Sequence, residues 1–76
     1  MYNAKIQLVN VDDVKRFVTA ANKYDFEIDL TSGRYTVDGK SIMGIFSLDL
    51  SKDIILSASG ATQEFIDEMQ QFIVKD

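Results

Sequence analysis

Nucleophiles, acids and metal ligands set what chemistry a chain can do, and this chain has few. Its 76 residues include no histidine and no cysteine, so neither imidazole nor thiolate is at hand. A serine-histidine-aspartate triad and the usual zinc ligand sets are closed to it. Carboxylates, hydroxyls and amides remain. Asn10 stands just before Asp12 and Asp13, Asp49 precedes Asp53, and Ser41 opens a polar-to-apolar stretch, residues 40–48. Neither carboxylate pair lies in a glycine-bearing calcium loop with a later glutamate, so helix capping and solubility account for both. Gly33, Gly39, Gly44 and Gly60 are isolated and make no phosphate-cradling loop. Neither cofactor nor metal is implied, and the chain reads as a non-enzyme.

The elements that must position these residues follow from hydrophobic period. Over residues 2–9, Ala4, Ile6 and Leu8 alternate with Asn3, Lys5 and Gln7, which predicts a half-buried strand. Asn10 then offers a capping oxygen, and Asp13, three residues on, can reach back as in a capping box. Val11, Val14, Phe17, Val18 and Ala21 recur at helical spacing to about Lys23, with Lys15, Arg16, Thr19 and Asn22 on the other side. From Tyr24 the period returns to two through Phe26, Ile28 and Leu30. Ser32 and Gly33 signal a turn into a partner strand, residues 34–38, with Tyr35 and Val37 on one face. Ser41 is a plausible cap for a brief helix through Leu48, weakened by Gly44. A last strand over 53–59 leaves Ile55 facing away from Ile54, Leu56 and Ala58. A last helix over 61–75 follows, with Thr62 as its possible cap.

Length and composition fit one domain over residues 1–76, with an apolar share of 46% that argues for a folded core. With no disulfide, that core supplies the stability alone. Eight basic against twelve acidic side chains give a formal charge of −4, which disfavours nucleic acid and membrane surfaces as partners. The opening residues lack an apolar signal core, and no apolar run approaches the length of a membrane span. The expected setting is soluble and cytoplasmic. Strand, helix, strand, strand, helix, strand, helix makes an α+β open-faced sandwich, and this order equally permits a ferredoxin-like sheet.

Three matches carry a family resemblance. Lys40, Ser41, Ile42, Met43 and Gly44, continuing to Leu48, resemble the lysine-serine-isoleucine-methionine-glycine segment of HPr, the histidine-containing phosphocarrier of the bacterial sugar phosphotransferase system. Ala21, Asn22, Lys23, Tyr24 and Asp25 are similar to the end of that family's first helix. Ser57, Ala58, Ser59, Gly60 and Ala61 are similar to the join between its last strand and last helix. The likeness runs through nearly the whole chain. It implies an HPr-like open-faced β-sandwich, a four-stranded antiparallel sheet covered on one face by three helices, and so selects that fold over the ferredoxin-like one.

The family's phosphoryl relay needs a histidine beside an arginine and a proline at the start of the first helix. Counting back from Ala21 without a gap puts those positions on Asn10, Asp12 and Asp13. An asparagine amide does not accept a phosphoryl group, and two carboxylates repel one. Ser41 matches the family's regulatory serine, and two roles fit it: helix cap, or phosphosite for a kinase. Ile42, Met43 and Phe46 match an apolar docking patch, which Asn10 and a first-helix face bearing Lys15 and Arg16 would complete. Their alternative role is ordinary core cover. The reading is an HPr-like protein that has lost histidine phosphotransfer and serves as a protein-binding or regulatory module. Its expected partner is a phosphotransferase-system enzyme, a kinase or a transcriptional regulator. A regulator switched at Ser41 and a small self-associating domain are the alternatives.

Overall fold

Alternating apolar residues build four strands, β1 (Tyr2–Ile6), β2 (Ile28–Ser32), β3 (Tyr35–Asp38) and β4 (Ile54–Ala58). The computed structural model describes residues 1–74. The strands pair in the order β1-β4-β2-β3, every pair antiparallel. Register aligns Ala4 with Leu56, Leu56 with Leu30 and Leu30 with Val37, an apolar row across the inner face. The neighbouring outer rows hold Asn3, Ser57, Asp29 and Asp38, and Lys5, Ile55, Thr31 and Thr36. One face is for the core and the other for water. As its alternation predicts, Ile55 lies on the outer face, partly exposed.

Three helices cover the inner face: α1 (Val11–Ala21), α2 (Ile42–Phe46) and α3 (Gln63–Met69). They deliver Val14, Phe17, Ala20 and Ala21 from α1, Ile45 from α2, and Phe65 and Met69 from α3 to one core with the strand residues. No helix of the described residues is long and apolar enough to cross a membrane.

Several boundaries differ from the sequence expectation, each for a local reason. β1 stops at Ile6 because the Gln7 N–H donates to the Phe72 carbonyl at 2.8 Å, although Leu8 is still buried. α1 stops at Ala21, where Asn22 caps it by donating its own N–H and Nδ2 to the Val18 carbonyl. Val11, placed by its spacing in the buried stripe, is 52% exposed in the first turn. Residues 24–27 precede β2, and their aromatics leave the strand pattern to stack: Tyr24 and Phe26 each meet the Phe65 ring edge-on at 5.1 Å. Phe26 sits so close to Gly60 that a Cβ there would come within 2.9 Å of its own Cβ.

The β2–β3 turn falls on Gly33 and Arg34, one residue later than expected, with Gly33 at φ +62° as the first central residue of a tight hairpin. Ser32 is therefore the last residue of β2, and it is buried. α2 ends at Phe46, two residues early, where the Ser47 hydroxyl donates to the Gly44 carbonyl. α3 ends at Met69, well before Lys75, which lies outside the described residues. Residues after it turn onto the edge of β1 instead: Ile73 bridges Ile6, and the Val74 N–H donates to the Lys5 carbonyl at 3.0 Å. An exposed strand edge has been satisfied at the cost of two further turns of helix.

A polar clamp ties the end of α1 to α3. The Tyr24 hydroxyl donates to Glu68 Oε1 at 2.7 Å, and Lys23 Nζ donates to Oε2 at 2.9 Å. The bond to Glu68, aided by partial burial, pushes the Tyr24 hydroxyl from 10.0 up to about 12. The same bond, then the one from Lys23, holds the Glu68 carboxyl below its usual value. Stability from Tyr24 is complete below pH 10.0 and is lost as the pH rises toward about 12. That from Glu68 is complete above the usual glutamate value and is lost as the pH falls through the lowered one. Tyr24→Phe keeps the ring packing and removes the bond. In urea denaturation it costs about 1 kcal/mol at neutral pH, and stability then no longer falls through the Tyr24 window on the alkaline side.

Candidate functional site

Two helix starts hold the residues singled out by sequence. At the head of α1, Asn10 is extended (φ −142°, ψ 177°), and its Oδ1 accepts the Asp13 N–H at 2.9 Å. Asp13 answers through Oδ2, which accepts the Val9 N–H at 2.9 Å, one residue earlier than a regular capping box would reach. Its Oδ1 accepts from the Arg16 guanidinium at 2.9 Å. Asn10, Asp13 and Arg16 thus form one chain of local bonds that fixes the first turn. Asp12 is exposed beside them, and both carboxylates suit the positive end of the helix dipole.

At the head of α2, the Ser41 hydroxyl oxygen accepts the Gly44 N–H at 3.1 Å, and the residue is half-buried. The Lys40 N–H donates to Asp38 Oδ1 at 2.9 Å, and its ammonium donates to the Tyr24 carbonyl. Asn22 Nδ2 also reaches the Lys40 carbonyl at 3.3 Å, joining the end of α1 to the start of α2. Along α2, Ile45 is buried and Ile42 half-buried, whereas Met43 is 81% and Phe46 45% exposed. A five-residue helix has room to bury one side only.

The expected surface is brought together in part. Residues seven apart return to nearly the same side of a helix, so Lys15 lies on the side of Asn22, which touches the head of α2. Val11 and Val18 share that side. Arg16 is turned about 100° from Lys15 and is engaged elsewhere, with its guanidinium on Asp13 and 5.6 Å from the Phe72 ring centroid. Of the two cations expected to complete a surface with α2, Arg16 is turned toward Asp13 and Phe72, and Lys15 lies on the Asn22 side of α1. Exposed Val11 takes a place there that its apolar spacing had assigned to the core. Its position in the first turn, at the margin of the stripe, was the available signal.

At the head of α2, the Ser41 hydroxyl oxygen accepts a backbone N–H, and no carboxylate is bonded to it among the described residues. Asp49 accepts the Ser51 N–H at 3.0 Å and hydroxyl at 2.6 Å, and these bonds hold its carboxyl below the usual range. Asp53 pairs with Lys5 at 3.6 Å. Each carboxylate is engaged locally rather than jointly. Asn10→Ala removes the acceptor for the Asp13 N–H and lowers stability by about 1 kcal/mol. Urea denaturation measures it, with Ser41→Ala as the parallel case for α2.

Comparison with known proteins agrees with this geometry. Residues 11–75 match the family model described as PTS-HPr, the PTS HPr component phosphorylation site. The fold resembles the crystal structure of HPr-C-His from Thermoanaerobacter tengcongensis, with 31% identity over 96% of this chain and 91% of that one, at a TM-score of 0.80. It also resembles the crystal structure of a phosphocarrier protein HPr from Bacillus anthracis strain Ames, at 23% identity and a TM-score of 0.72, over 96% of both chains. A four-stranded antiparallel sheet in the order β1-β4-β2-β3 under three helices, matched by sequence over most of its length, makes this chain a member of the HPr family.

Proposed function

We propose that this chain has given up histidine phosphotransfer and acts as a non-catalytic protein-binding module of the phosphotransferase system, in a bacterial cytoplasm. HPr family proteins are phosphocarriers rather than catalytic enzymes, and they interact with proteins of that system. One observation carries the reading. Asn10, at the position the resemblance gives to the phosphoryl-accepting histidine, is bound as the α1 cap with Asp12 and Asp13 behind it, while Met43 and Phe46 remain exposed.

The physical consequences differ between the two helix heads. An amide has no lone pair to offer as a nucleophile near neutral pH. A phosphate dianion approaching the α1 head would meet two carboxylates, and the nearby guanidinium is already spent on Asp13. The α2 surface has lost nothing comparable. Ile42, Met43 and Phe46, with Val11 and Lys15 on the adjoining side of α1, supply an apolar centre and one charged neighbour.

Ser41 supports a second reading, a phosphate-controlled switch. Its hydroxyl is half-buried and already receives the Gly44 N–H, so a phosphate there would keep a backbone donor while adding charge beside the docking residues.

Incubation with the phosphotransferase system's first enzyme and phosphoenolpyruvate tests the leading reading. The expected result is no acid-labile phosphate on this chain; its appearance would sink the proposal. With a phosphotransferase-system protein found to bind, Met43→Asp and Phe46→Asp abolish the association while circular dichroism stays unchanged. Intact-mass measurement of protein from its native cell, with and without Ser41→Ala, decides the second reading.

A further inference from the structure

The β2–β3 turn and the connection from α2 to β4 line a groove of about 680 Å³, whose lining includes none of Asn10, Met43 and Phe46. Three observations set it apart. First, Ser32 in its wall is 5% exposed, the buried polar residue of the core, and its hydroxyl has no hydrogen-bond partner among the described residues. No sealed-off, unpartnered side-chain atom occurs among those residues, so this hydroxyl opens onto the groove. Second, Lys5, Arg16 and Lys23 are in ion pairs, and Lys40 is held by the Tyr24 carbonyl. Among the described residues this leaves Lys15, Arg34 and Lys52 without such partners, and both Arg34 and Lys52 line the groove. Third, Tyr35 in the same wall is 72% exposed. It shares one face of β3 with Val37, and β3 is an edge strand of the sheet.

We propose that this groove binds a small organic phosphate monoester, with Arg34 and Lys52 on the phosphate, the Ser32 hydroxyl donating to one of its oxygens, and the Tyr35 ring against the organic body. Two cations reach it from different parts of the chain, and a hydroxyl comes from a third point in the wall. Donors so arranged suit a tetrahedral group with three terminal oxygens better than a flat carboxylate. Asp49 is the opposing charge in the groove. Its Oδ1 accepts the Ser51 hydroxyl and N–H and it feels the Lys52 charge, yet two cations against one carboxylate leave the groove net positive in a chain of formal charge −4. The volume falls within the range of small-molecule sites, about 300–1,000 Å³. The site does not depend on the reading of Asn10 or of α2.

Phenyl phosphate is the probe, titrated into ¹⁵N-labelled protein and followed by amide chemical shifts, with inorganic phosphate and phenol as separate arms. Saturable shifts confined to residues 32–35 and 47–52, tighter for phenyl phosphate than for either arm, are the expected result. Arg34→Ala with Lys52→Ala weakens binding by about tenfold or more, and Ser32→Ala by roughly threefold to tenfold. Lys52→Gln alone, on an exposed connection, keeps the test in force if the hairpin variant does not fold. Absence of saturable shifts there, unchanged affinity in the cation variants, or equal affinity for inorganic phosphate overturns the proposal.

Discussion

Covering one face of a four-stranded sheet is the constraint on which the whole structure depends. The row Ala4, Leu56, Leu30 and Val37 crosses all four strands, and Phe17, Ile45 and Phe65 bring one fully buried side chain from each helix to the same core. Full burial of such a side chain contributes about 1.5–3 kcal/mol. Helices of 11, 5 and 7 residues are too short to persist by propensity alone. They exist because the sheet holds their apolar sides down.

Short helices make their first turns decisive. Each has a large share of its N–H groups unpaired at the start, and each begins on a side chain that accepts the N–H three residues on: Asn10 for Asp13, Ser41 for Gly44, Thr62 for Phe65. Two of these caps are also the positions that the family resemblance associates with phosphate. Structural and chemical roles therefore meet at the same chain positions. At Asn10 the side-chain oxygen is held in the cap, reinforced by an aspartate that bonds both backward to Val9 and forward to Arg16. At Ser41 the two roles are compatible, since a phosphate oxygen can take the same N–H that the hydroxyl takes now.

Much of this was legible in the sequence because it is local. Alternation gave β1, β2 and β4 their inner faces, and all three caps were visible as a polar residue ahead of a change in period. The family segments around Ser41 and Gly60 then chose the topology, which periodicity had left open. What stayed hidden depends on partners distant in the chain. Residues 73 and 74 continue a helical pattern in sequence, but the unpaired edge of β1 draws them into extended backbone. Tyr24 and Phe26 alternate like strand residues, yet Phe65 and Gly60 provide the surfaces that hold them outside β2. Val11, in the first turn of α1, and Tyr35, on edge strand β3, follow the apolar pattern yet emerge into solvent.

On the proposed binding role, the separation of Lys15 from Arg16 shapes what the α2 surface can recognise. An arginine offers a planar fork that matches a carboxylate or phosphate in two bonds, whereas a lysine offers a mobile point charge. Here the fork is bound to Asp13 and lies near Phe72, which leaves Lys15 as the cation on the side of α1 that carries exposed Val11. A single flexible charge steers approach more than it fixes geometry. If this surface binds as proposed, discrimination between partners falls to the shapes of Met43, Phe46 and Val11. Of these, methionine is the most adaptable, which favours a surface that accommodates several related apolar partners over one that reads a single phosphorylated group.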